Sequence, residues 1–188
     1  MDGLRLKSAV LLILCLLLTG CSSSDDTMAS AMAFRTELVQ SGGCTFTAQV
    51  TADFGDSVRE FAMDCCSDEK GNVSFTLKEP ETLEGITGSV TDAGGKITYD
   101  GMSAEFGLLA DEKVIPAAAP AIAASCWAGE YISCTGMEDE LCRVTCEKGF
   151  EKKLIVDTWF QNQVPICCEM CYNGTEILKM EITDFQMN

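Results

Sequence analysis

The chain has 188 residues, a formal net charge of −16 and no histidine. So acidic a surface repels phosphate backbones and excludes nucleic acid as a partner, while the length suits one domain with room for a real core. No histidine stands ready as base for a serine or cysteine nucleophile, no GxSxG elbow or phosphate loop is present, and no carboxylate spacing argues for convergence, so the chain reads as non-enzymatic and without a cofactor.

Residues 1–20 have the parts of an export signal. Arg5 and Lys7 precede the apolar run AVLLILCLLL, which is too short for a comfortable membrane span, and Leu18-Thr19-Gly20-Cys21 follows. That last stretch resembles the lipobox of bacterial lipoproteins. The resemblance implies cleavage before Cys21, a diacylglyceryl anchor with palmitate-type chains on its sulfur, and a mature chain held on the extracytoplasmic face of the cell membrane. Two or more acyl chains hold a protein stably where one does not. Ser22, Ser23, Ser24, Asp25 and Asp26 read as a tether, so residues 21–27 are the tether and 28–188 a single domain.

Residues 27–41 recur apolar at Met28, Ala31, Met32, Phe34, Leu38 and Val39, which predicts an amphipathic helix ended by Gly42 and Gly43. Alternation then takes over, with Cys44, Phe46, Ala48 and Val50 on one face and Thr45, Thr47, Gln49 and Thr51 on the other. Phe61, Met63 and Cys65 form a second apolar row, and Val73, Phe75 and Leu77 a third. Glu79-Pro80-Glu81 interrupts, because proline cannot donate to a sheet ladder. Short strands follow at 85–91, 96–100 and 103–109. Residues 110–117 are a looser connection, and 118–128, AAPAIAASCWA, form a second helix in which Trp127 reads as a packing anchor. Strand patterns return at 130–134, 140–147, 152–160, 163–172 and 176–185. Asn173-Gly174 is the strongest hairpin signal in the chain.

Of twelve cysteines, Cys15 leaves with the signal and Cys21 carries the anchor. Cys44, Cys65, Cys66, Cys126, Cys134, Cys142, Cys146, Cys167, Cys168 and Cys171 remain, an even number in an exported chain, which favours several structural disulfides of unassigned pairing. Reduced, buried cysteines are the competing state. Cys65 with Cys66, and Cys167 with Cys168, alternate along strands and point to opposite sides. Cys142 and Cys146 lie about 13 Å apart on a straight strand, beyond disulfide reach. Cys168-Glu169-Met170-Cys171 sits in an extended pattern, not at the helix N-terminus that a redox CxxC needs. Zinc held by Cys142, Cys146, Cys167, Cys168 and Cys171 is a weaker reading, since no paired knuckles are present.

About ten strands and two helices in one domain predict an α+β fold: a strongly curved antiparallel sheet, an incomplete barrel, wrapped around a small helical layer. The element order, with the stretches Phe75-Thr-Leu-Lys-Glu-Pro-Glu-Thr-Leu-Glu-Gly-Ile-Thr-Gly88, Ile97-Thr-Tyr-Asp-Gly101 and Ile182-Thr-Asp-Phe185, resembles the LolA-like superfamily of lipoprotein carriers and acceptors, and more closely its lipid-anchored relatives in Gram-positive, clostridial-type bacteria. The resemblance implies an apolar cavity able to receive acyl chains. It departs from soluble carriers in its own anchor at Cys21 and in its many cysteines.

Face parity makes Phe46, Ala48, Phe61, Met63, Phe75, Leu77, Ile166 and Met170 the candidate lining residues, each of which could equally be ordinary core. Two functions are expected from these features. One is a tethered envelope module that binds or hands over a lipid or other apolar ligand. The other is an envelope protein-interaction or scaffold module with a filled core.

Overall fold

The apolar rows of the sequence become strands close to where alternation places them. This computed structural model describes residues 23–53, 55, 57–110, 113–149 and 154–188, so the expected export signal and Cys21 lie outside the described residues. Helix α1 spans Ser23–Ser41. It begins ahead of the expected residue 27, with Asp25 and Asp26 in the first turn, where the positive end of the helix dipole favours acidic groups. Thr27, Ala31, Phe34 and Leu38 form its buried stripe.

After α1 come β1 (Gly43–Asp53), β2 (Val58–Asp68), β3 (Val73–Glu79), β4 (Thr87–Thr91), β5 (Gly94–Tyr99) and β6 (Met102–Phe106). A small hairpin, β7 (Leu109–Ala110) and β8 (Lys113–Val114), leads to α2 (Ala119–Ala128). The chain closes with β9 (Tyr131–Glu138), β10 (Leu141–Lys148), β11 (Leu154–Gln161), β12 (Val164–Tyr172) and β13 (Thr175–Met187). Asn173 and Gly174, both with positive φ, form the two-residue turn into β13, as the sequence predicts.

Eleven strands form one antiparallel sheet in the order β6-β5-β4-β3-β2-β1-β13-β12-β11-β10-β9. Two meanders are thus joined side by side through β1 and β13. The expectation of a strongly curved, incomplete barrel is overturned: β6 and β9 are the two free edges of an open sheet and do not pair. That expectation assumed that a long sheet must curl to close its own core. Here helices close it instead. α2 is apolar and buried from Ala119 to Trp127, and α1 lays its stripe beside it, so one sheet face is covered while the other meets solvent.

Two bulges re-aim side chains. Opposite Phe46, β13 carries the extra residue Asp184 at φ +52, after which Phe185 and Met187, not their even-numbered neighbours, pack against the core. On β12 the register slips between Pro165 and Cys167, so Pro165 is buried and Ile166 is left only half-buried.

Gly71, in the turn between β2 and β3, rests on α2. It has φ +81, and a Cβ there would lie 2.4 Å from the backbone N and Cα of Ser125. Gly71→Ala is therefore expected to lose about 2–3 kcal/mol, from left-handed strain and a collision with helix backbone, read as a lower urea midpoint.

Lys148, at the end of β10, ties three elements together. Its Nζ meets Asp92 Oδ1 at 2.6 Å, Glu130 Oε1 at 2.8 Å and Ser125 Oγ at 3.2 Å. Burial works against its charge, but the hydrogen bonds and charges of Asp92 and Glu130 outweigh that and raise its pKa. A raised lysine stabilises the fold fully below the unfolded value and loses that contribution as pH climbs through the folded one. Lys148→Met should cost about 1–2 kcal/mol at pH 7 in urea melts, and the gap from wild type should narrow above about pH 10.

Candidate functional site

The residues nominated by parity fall into two registered rungs. Phe46, Cys65 and Phe75 face one another across β1, β2 and β3, and Ala48, Met63 and Leu77 form the next rung. Phe46, Ala48, Met63, Phe75, Leu77 and Met170 are buried in the core, Phe61 is half-buried against it, and Ile166 sits at the β12 bulge. The rungs thus pack beneath α2 as core. Gly88 of β4 completes the first rung by leaving room for the Phe75 ring, which a Cβ there would meet at 2.4 Å.

Space between the layers occurs further along, under α1. A cleft of about 180 Å³ opens between α1 and β9–β11. Ala31 and Phe34 of α1 roof it, Cys142, Val144 and Phe160 form its floor, and Ser30, Glu140, Asn162 and Gln163 make a polar rim. An apolar interior with polar groups at the mouth is the usual character of a ligand cleft, although this volume is below the few hundred Å³ that such sites commonly offer. The signal for it was present in the sequence: Ala31 and Phe34 on the stripe of α1, and alternation along β10.

At its inner end the cleft borders an aromatic cluster. Phe34 lies 4.9 Å from Phe160, 6.4 Å from Trp127 and 6.0 Å from Phe185, ring centre to ring centre. Trp127 also stands 5.4 Å from Phe46 and donates its indole N–H to Thr158 Oγ1 at 3.2 Å. Arg35, next to Phe34, locks the two helices together. Its Nε donates to the Trp127 carbonyl at 3.0 Å, and Nη2 donates to the carbonyls of Cys126 and Glu130, each at 2.8 Å. These carbonyls belong to the end of α2 and the turn after it, where main-chain acceptors lack helical partners and the dipole favours a cation.

The solvent-facing side of the sheet carries two wide, open grooves. One, about 580 Å³, runs along Thr45, Thr47, Asp64, Ser74, Thr76 and Thr87. The other, about 640 Å³, includes Cys134, Glu138, Arg143, Thr145, Asp157 and Cys171. In the second, Arg143 grips Asp157 through two hydrogen bonds of 3.1 and 2.9 Å and stacks its guanidinium 5.5 Å from the centre of Trp159, whose indole N–H donates to Glu138 at 3.0 Å.

The expected disulfides are not formed in this structure: none of the ten described cysteines is in a disulfide, and no two sulfurs among the described residues are closer than 4.4 Å. Alternation explains part of this. Cys65 is buried and Cys66 exposed, and Cys168 is buried while Cys167 pairs across the strand with Trp159. Cys142, Cys146 and Cys168 face the core, whereas Cys171 lines the outer groove, so the five cysteines considered for zinc divide between two faces. Among the described residues no three His, Cys, Asp or Glu side chains gather in a metal-binding group. Burial pushes the Cys44 thiol up to about 11, although a hydrogen bond with Ser67 pulls the other way, and burial raises Cys65 and Cys168 further.

No family model matches the chain, and no curated protein matches it. Among solved structures it is similar to a LolA superfamily protein from Nitrosomonas europaea, with 10% identity over 89% of this chain and 94% of that one and a TM-score of 0.49. It is also similar to a DUF1329 family protein from Desulfovibrio piger, at 8% identity, the same two coverages and a TM-score of 0.46. A third is the lipoprotein LppX of Mycobacterium tuberculosis, at 10% identity over 83% of this chain and 98% of that one, with a TM-score of 0.37.

Proposed function

We propose that the chain is a non-catalytic envelope lipoprotein, tethered through Cys21, that takes an acyl chain or similar apolar ligand into the cleft between α1 and β9–β11. The observation that carries this reading is the cleft itself, with its floor of Cys142, Val144 and Phe160 under Ala31 and Phe34. Its roof begins at Ser23, two residues after the anchoring cysteine, so the moving element would be the one nearest the membrane. A volume of about 180 Å³ admits only part of a long chain, so a full ligand requires α1 to lift from the sheet.

The test is binding of a fluorescent fatty acid to residues 22–188. Wild type should enhance the probe's emission, and Ala31→Phe, which places a ring into existing space, should abolish the enhancement while its circular dichroism stays native. Equal enhancement by both proteins would remove the cleft from consideration.

A second reading, an envelope protein-interaction or scaffold module, is favoured by the packing of Phe46, Ala48, Met63, Phe75 and Leu77 as filled core. Its docking surface would be the solvent-facing groove around Arg143, Asp157 and Trp159. Crosslinking in native membranes that recovers one envelope protein through that groove, together with no probe binding, is the outcome it expects.

A further inference from the structure

Cys146 follows Cys142 and Val144 on the inward row of β10, directly under the last turn of α2. Its thiol donates to the Cys126 carbonyl at 3.7 Å, and the two thiols are near enough to shift one another's acidity, Cys126 upward and Cys146 downward. Both residues are nearly inaccessible, at 1% and 4% exposure. Cys44 and Cys168, also inward, engage hydroxyls instead, at 3.2 Å from Ser67 Oγ and 3.3 Å from Thr158 Oγ1, and Cys65 donates to the Met63 carbonyl of its own strand at 3.7 Å.

We propose that Cys126 and Cys146 are a disulfide pair that fastens the end of α2 to β10. This assigns one pairing out of the many that ten cysteines allow, and it stands whichever of the two functional readings holds.

The chemistry is thiol–disulfide exchange with an external disulfide, either a small molecule or a protein oxidant. Cys146 is the attacking sulfur. The Cys126 thiol and the charge of Arg35 lower its pKa, against burial and the charges of Glu130 and Asp157. Its thiolate bonds to one sulfur of the external disulfide, that S–S bond breaks, and the other sulfur leaves as a thiolate. Cys126 then gives its proton to solvent, attacks the Cys146 sulfur and expels the second external thiolate. Two protein thiols are oxidised and one external disulfide is reduced to two thiols. Bond formation to about 2.05 Å requires the Cys146 side chain to turn from the Cys126 carbonyl to its sulfur. Because both thiols are buried in the folded chain, exchange belongs to folding or to local opening of α2. The bond closes a loop containing β9 and the β9–β10 turn, and restricts the unfolded chain accordingly.

The experiment uses the full chain purified from membranes in detergent and equilibrated in a buffer of oxidised and reduced glutathione. Remaining thiols are blocked with N-ethylmaleimide after denaturation, and the digest is mapped by mass spectrometry. A peptide crosslinked through Cys126 and Cys146, lost on reduction, is the expected result. Oxidised wild type should also melt at higher temperature than reduced wild type, and Cys146→Ser should lack that part of the rise. Full alkylation of both residues in the oxidised sample, or crosslinks joining either of them to another cysteine, would overturn the pairing. The mapping is made on wild type, so it decides the matter even if the variant folds poorly.

Discussion

Trp127→Ala is expected to remove about 3–5 kcal/mol of stability, the largest loss from any single substitution considered for this chain. The indole is 4% exposed and touches rings from three other elements: Phe34 on α1, Phe46 on β1 and Phe185 on β13. Truncation would leave a cavity at the point where both helices meet the centre of the sheet, and would leave the Thr158 hydroxyl, which now accepts the indole N–H, with Cys168 Sγ alone. A domain of this size typically has about 5–15 kcal/mol in all, so the thermal midpoint should fall on the order of 10 °C. Trp127→Phe keeps most ring contacts and loses the hydrogen bond, so about 1–2 kcal/mol is expected. If the two variants melted alike, ring packing would not be what holds this region.

Arg35→Ala should cost about 2–4 kcal/mol, more than a surface charge usually contributes. The reason is the number of acceptors it leaves behind. Three main-chain carbonyls, those of Cys126, Trp127 and Glu130, lose a charged donor at once, at the end of a helix. Arg35→Lys retains the charge but not the planar fork, and should recover less than half of the loss. Hydrogen exchange offers a local readout: amides of α2 should exchange faster in Arg35→Ala while those of β4 and β5, remote from the contact, change little. Because Arg35 joins roof to core, the same variant should also loosen α1 over the cleft and raise its uptake of the fluorescent fatty acid.

Most strands were legible because alternation with threonine on the outer face, as in Cys44 to Thr51, suits a half-buried strand and does not suit a helix. The Asn173-Gly174 turn was legible on similar grounds: its residues tolerate positive φ. The overall shape was not. Nothing in a row of alternating residues states how far a sheet bends, and the expected barrel came from assuming that the sheet closes its own core. The apolar, alanine-rich α2 already covers that face, and an open sheet suffices.

Bulges set facings that counting by twos does not give. Counting by twos from Ile182 places Phe185 toward solvent, but the extra residue Asp184 turns it inward, where it meets Phe34 and Trp127. The slip beside Ile166 does the reverse, burying Pro165. For the site, parity identified inward residues but could not say which rungs are packed and which border space. That depends on where α1 crosses the sheet, and α1 meets β9 to β11 only through contacts between residues far apart in sequence. Arg35 was missed because its acceptors are backbone carbonyls, which leave no trace in residue type.

The central claim, that an apolar ligand occupies the cleft under α1, is tested most directly by native mass spectrometry of residues 22–188 after exposure to envelope lipid extract. The account predicts the protein mass plus an adduct of lipid mass, absent from a folded Ala31→Phe variant. A bare protein mass, under conditions in which a soluble lipid carrier keeps its lipid, would contradict it and leave the interaction module as the working description.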